Sequence, residues 1–72
     1  MTEKVKNILK DELNVDAVSD QSAQEDFPEW DSLTYMRIVA AIESNFKIEI
    51  NAQNINNFNS VPNIVREIGI KR

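Results

Sequence analysis

An all-α fold, a small four-helix bundle built from three main helices and one short helix, is predicted by three observations on this 72-residue sequence. Apolar residues recur at helical spacing in three separate stretches. Asp31 and Ser60, residue types that favour helix starts, stand directly ahead of two of those stretches. Period-two alternation is confined to Lys47-Ile48-Glu49-Ile50, which reads as a brief extended connector.

Residues 3–14 form the first predicted helix. Val5, Ile8, Leu9 and Leu13 share one face, while Lys4, Lys6, Asn7, Lys10 and Glu12 occupy the other sides, and Asn14 suits a stop. Residues 15–30 carry no helical period, and Pro28 disfavours helix at Phe27. Structureless stretches of this length in a small domain are often functional. Val15, Val18, Phe27 and Trp30 are expected to pin this one to the core, with Trp30 acting as an anchor.

The second helix, residues 32–46, is the strongest. Its stripe is Tyr35, Ile38, Val39, Ile42 and Phe46, with Tyr35 expected to keep its hydroxyl at the edge. Leu33, Met36 and Ala40 form a second apolar line, rotated to one side. A helix apolar on more than one face is deeply buried or touches a partner. Residues 51–58 are predicted to hold one or two poor helical turns, with Ile55 and Phe58 facing inward among weak helix-forming asparagines. The last helix spans residues 60–70. Val61, Ile64, Val65 and Ile68 face inward, Pro62 is tolerable in the first turn, and Gly69 stands where a stop is expected. Lys71 and Arg72 suit the negative end of the helix dipole.

The length implies one domain, residues 1–72, with one small core that buries roughly 60% of the unfolded surface. Apolar residues at 42% and charged residues at 28% are an ordinary soluble balance. There is no cysteine, so disulfides and thiolate metal sites are excluded. There is no histidine, the usual general base, so a Ser/His/Asp arrangement cannot be built. One glycine cannot make a phosphate-cradling loop. These absences make an autonomous enzyme a poor reading. No apolar run is long enough for a bilayer and the N-terminus lacks a signal-peptide block, so a cytoplasmic protein without membrane insertion is expected. A net charge of −4 with no basic stripe argues against nucleic acid and favours basic partner surfaces.

The remaining chemistry lies at Asp31-Ser32-Leu33. The Ser32 hydroxyl is expected exposed at a helix N-terminus, beside free N–H groups that suit a covalently attached phosphate. Asp31 next to it opposes that charge. Taken alone, the tripeptide reads first as the ordinary start of any helix.

The surrounding residues add to it. Asp31-Ser32-Leu33 opening an apolar helix, followed by Ala41-Ile42-Glu43-Ser44-Asn45-Phe46-Lys47-Ile48-Glu49-Ile50, resembles the acyl and peptidyl carrier protein family. Phe58-Asn59-Ser60-Val61 resembles that family's approach to its last helix. The resemblance covers nearly the whole chain. It implies a free-standing, monomeric carrier that is not an enzyme, in which a phosphopantetheinyl transferase moves 4′-phosphopantetheine from coenzyme A onto Ser32, flanked by Asp31 and Leu33. The arm's thiol then holds an acyl or aminoacyl thioester. The implied partners are that transferase, an acyl- or amino-acid-activating ligase, and a downstream acyltransferase, synthase or thioesterase. Leu33, Met36, Arg37 and Ala40 are the expected docking residues. Glu29 stands where the family often has glycine, and Arg37 sits in a helix that is usually more acidic in fatty-acid carriers. Both departures lean toward a specialised pathway: polyketide, nonribosomal peptide or surface glycan assembly.

Glu25, Asp26, Glu29 and Asp31 cluster ahead of Ser32 and read first as a solvated loop. Two competing functions remain. A small helical interaction or regulatory module would use the second helix as a binding face and leave Ser32 unmodified. A helix-turn-helix DNA binder conflicts with the acidic balance.

Overall fold

A computed structural model describes residues 1–71, with side chains through Ile70. It holds three α-helices, α1 (Thr2–Leu13), α2 (Ser32–Phe46) and α3 (Val61–Lys71), and two 3₁₀ turns at Gln24–Asp26 and Ile55–Asn57. The expected short fourth helix is therefore the single turn Ile55–Asn57. The turn at Gln24–Asp26 was not expected.

α1 ends as its sequence suggests. Asn14 adopts a left-handed conformation (φ 56, ψ 48), and its N–H donates to the Lys10 carbonyl. Asparagine is among the few residues that tolerate this geometry. Val5, Ile8, Leu9 and Leu13 are all buried. α2 keeps the predicted boundaries. At its end Lys47 is also left-handed (φ 56, ψ 47), so the stretch from Lys47 is a helix cap before it is a connector. Nothing about lysine favours that conformation. Two later contacts hold it: the Ile48 N–H donates to the Glu43 carbonyl at 3.2 Å, and the Ile50 N–H donates to Glu43 Oε2 at 2.9 Å. Ile48 and Ile50 then pack against the core.

The core lies between the three helices. Val5, Leu9, Ile38, Ile42, Phe58, Val61, Ile64 and Ile68 lose nearly all their exposure there. Tyr35, Phe46 and Val65 from the predicted stripes are only half-buried at its edges. Trp30 is 2% exposed, and Val15, Val18 and Phe27 pack against the core as expected, so the long connector is anchored along its length. Hydrogen bonds stitch the same connector to the start of α3. Gln24 N–H donates to the Asn59 carbonyl and Val61 N–H to the Ser22 carbonyl, both at 2.8 Å. Lys6 Nζ adds an ion pair to Asp20 at 2.8 Å.

α3 corrects one expectation. Ser60 caps it, with its Oγ accepting from the Asn63 N–H at 3.2 Å. Gly69 does not stop it: the helix runs through to Lys71, and no glycine has positive φ. The physical reason is that Gly69 is permissive but not obligatory at a helix end, and Ile68 holds the last turn against the core. The contacts expected of Lys71 and Arg72 fall outside the described side chains. A Cβ built on Gly69 meets nothing within 4 Å. Gly69→Ala is therefore expected to stabilise the fold by about 0.5–1 kcal/mol, raising the melting temperature by a few degrees. A thermal melt checks this, and a lower melting temperature would contradict the helical assignment.

Candidate functional site

Local rules bring Asp31-Ser32-Leu33 to the surface. Trp30 is pulled into the core, its backbone N–H donates to the Phe27 carbonyl at 3.1 Å, and its own carbonyl accepts from Gln24 Nε2 at 3.0 Å. With the chain pinned at Trp30, the next residues turn outward. Asp31 is extended (φ −92, ψ −174), and its Oδ1 accepts from the Thr34 N–H at 3.0 Å, the expected N-cap bond. Ser32 is the first residue of α2 and is exposed. Leu33 is 63% exposed.

The Thr34 backbone N–H, with its hydroxyl adding, holds the Asp31 carboxyl below the ordinary aspartate range. The stabilising effect of a depressed carboxylate is present above its unfolded value and fades as the pH falls through its folded value. Asp31→Ala is therefore expected to lower the melting temperature at pH 7. That gap should close progressively below the ordinary aspartate range. Parallel melts of the two proteins from pH 7 to pH 2.5 test this, and a gap independent of pH would contradict the capping role.

Among the described residues, no side chain is hydrogen-bonded to the Ser32 hydroxyl. The Asp31 carboxylate beside it is engaged with Thr34. Among the described residues there is no cluster of three acidic side chains that could hold a metal ion. Ser32 itself is exposed at the start of α2.

A groove of about 340 Å³ opens beside it. It is lined by Ser32, Tyr35 and Met36 of α2, by Ile55, Asn56 and Asn59 from the segment ahead of α3, and by Gln24 of the long connector. The Tyr35 hydroxyl donates to the Ile55 carbonyl at 2.6 Å, clamping the 3₁₀ turn to α2. Partial burial raises the pKa of that phenol above its ordinary value.

Leu33, Met36, Arg37 and Ala40 follow i, i+3, i+4, i+7 spacing and are all exposed, so they form one strip running from Ser32 along α2. Met36 belongs to both strip and groove. Glu25, Asp26 and Glu29 are exposed on the connector, where Asp26 Oδ2 accepts from the Ala23 N–H. Sequence reasoning missed Gln24, Ile55, Asn56 and Asn59 as walls. The spacing marks Ile55 only as an inward-facing residue, and no local signal marks the three amides.

Comparison with known proteins bears on the family and the fold. Residues 3–68 match the family described as the phosphopantetheine attachment site. Among solved structures, the solution NMR structure of holo acyl carrier protein from Geobacter metallireducens superposes with a TM-score of 0.84 at 18% identity, over 97% of this chain and 83% of that one. Comparison with curated proteins by sequence finds no match.

Proposed function

The chain belongs to the phosphopantetheine attachment-site family, and on that premise we propose that it carries acyl or aminoacyl groups on a 4′-phosphopantetheine arm joined to Ser32. The observation that carries this reading is the exposed hydroxyl of Ser32 on the first turn of α2, the chain having been pinned immediately before it by buried Trp30. A transferase has an unobstructed approach to such an oxygen. Ser32 stands at the N-terminus of α2, a position that suits a phosphate. When bound, the arm supplies a terminal thiol that holds its load as a thioester, chemistry that a chain without cysteine lacks.

This chain's own work is presentation. Asp31 caps and orients the first turn, and Leu33 flanks the attachment point. Leu33, Met36, Arg37 and Ala40 form the docking strip for the enzymes that load and unload the arm: a phosphopantetheinyl transferase, an activating ligase, and an acyltransferase, synthase or thioesterase. The single carboxylate on α2, Glu43, is engaged with the Ile50 N–H, while Arg37 is exposed. The α2 surface therefore presents positive charge where a partner reading an acidic helix would need negative charge. That supports a specialised pathway, such as polyketide, nonribosomal peptide or surface glycan assembly, over bulk fatty-acid synthesis.

Incubation with coenzyme A, Mg²⁺ and a broad-specificity transferase, followed by intact mass spectrometry, tests the proposal. One added phosphopantetheinyl group is expected. An unchanged mass would favour the alternative, an interaction module without a prosthetic group, for which the exposed apolar strip on α2 is the supporting feature.

A further inference from the structure

The groove beside Ser32 has an unusual wall. Three of its side chains carry carboxamides, and the hydrogen bonds already made fix which atoms remain for a ligand. Gln24 uses its Nε2 on the Trp30 carbonyl at 3.0 Å, which leaves its Oε1 as an acceptor. Asn59 uses its Oδ1 to accept from Asn63 Nδ2 at 2.9 Å, which leaves its own Nδ2 as a donor. Asn56 is exposed on the same wall and offers both a donor and an acceptor. The apolar contribution comes from Tyr35, Met36 and Ile55, and Tyr35 is already tied to Ile55 through its hydroxyl.

Ile38, Ile42, Phe58 and Ile64 have no exposed surface. Interiors at crystal-like density admit an added alkyl chain only by moving those side chains. The groove's 340 Å³ is near the lower end of the range for ligand pockets. A long aliphatic chain gains little from such a wall, whereas a short group with its own donors and acceptors finds partners along it.

Resting on the attachment reading above, we propose that the load is a short acyl group bearing hydrogen-bonding substituents, hydroxyacyl or aminoacyl, and that Gln24, Asn56 and Asn59 hold it in the groove outside the core. The carrier then selects for polar loads by surface recognition and does not take the load into its interior.

The test uses the chain loaded at Ser32 with three probes delivered from their coenzyme A thioesters: 3-hydroxybutyryl, β-alanyl and octanoyl. Intact mass confirms each loading, so failure of attachment is read separately from failure of the groove. The readout is the NMR signals of the side-chain amides of Gln24, Asn56 and Asn59 and of the methyl groups of Ile38, Ile42 and Ile64, each against the unloaded arm. The two polar loads are expected to shift the amide signals, and the double variant Asn56→Ala/Asn59→Ala is expected to lose the accompanying shift at Gln24. The octanoyl load is expected to leave the three isoleucine methyls in place. Octanoyl-induced shifts at those methyls would overturn the proposal, as would amide signals that no polar load moves. No mass gain in any sample would remove the attachment reading, and this inference with it.

Discussion

Replacing Phe58 with alanine is expected to bring the chain to the edge of unfolding at 25 °C. Phe58 is the largest side chain with no exposed surface, and it sits where the turn Ile55–Asn57 feeds into α3. Deleting a buried phenyl ring removes its transfer energy and leaves a cavity, together costing about 3–5 kcal/mol. Domains have roughly 0.05–0.15 kcal/mol of stability per residue, about 4–11 kcal/mol for a chain of this length. The loss is thus a large share of the whole. No cysteine is available to supply a compensating crosslink. In a chain this small, each kcal/mol moves the melting temperature by roughly 4–8 °C, so a fall of about 12 °C or more is expected. Circular dichroism melts at neutral pH measure it. A fall of only a few degrees would mean that the core relaxes around the gap, and that the segment 55–59 does not depend on this one ring.

Ser32→Ala is expected to have the opposite profile: no measurable effect on the fold and complete loss of the arm. The side chain is exposed, and surface substitutions away from special features stay within about 0.5 kcal/mol. The cap bond from the Thr34 N–H goes to Asp31 and not to Ser32, so the helix start survives. Alanine is also the best helix former at such a position. A transferase that modifies the wild-type chain should add nothing to this variant. A variant that melts like the wild type yet still gains one group would put the attachment on another hydroxyl.

Much of the architecture was legible because local and tertiary signals agree. In α1, α2 and α3 the apolar spacing, the caps at Asp31 and Ser60, and the turn at Asn14 all point the same way, and α2 begins and ends where its pattern does. What escaped was set by hydrogen bonds and packing that the residue type at the position does not announce. Lys47 takes a left-handed cap because Glu43 and the following isoleucines hold it there, and nothing in lysine itself announces that. Gly69 looked like a stop because glycine usually is one near a helix end, but packing at Ile68 carries the helix past it. The site divides in the same way. Ser32 and its strip, Leu33, Met36, Arg37 and Ala40, lie on one helix, so periodicity gathers them. The rest of the groove's lining comes from Gln24 and from residues 55–59, which meet α2 only because the Gln24 N–H reaches the Asn59 carbonyl and the Tyr35 hydroxyl reaches Ile55. No spacing rule along the chain contains those distances.

The oxygen that receives the arm is identified most directly by fragmenting the transferase-modified chain and locating the added mass along the sequence. The account predicts a single phosphopantetheinyl group, carried at Ser32. The same group found on Ser19, Ser22, Ser44 or Ser60 would contradict it.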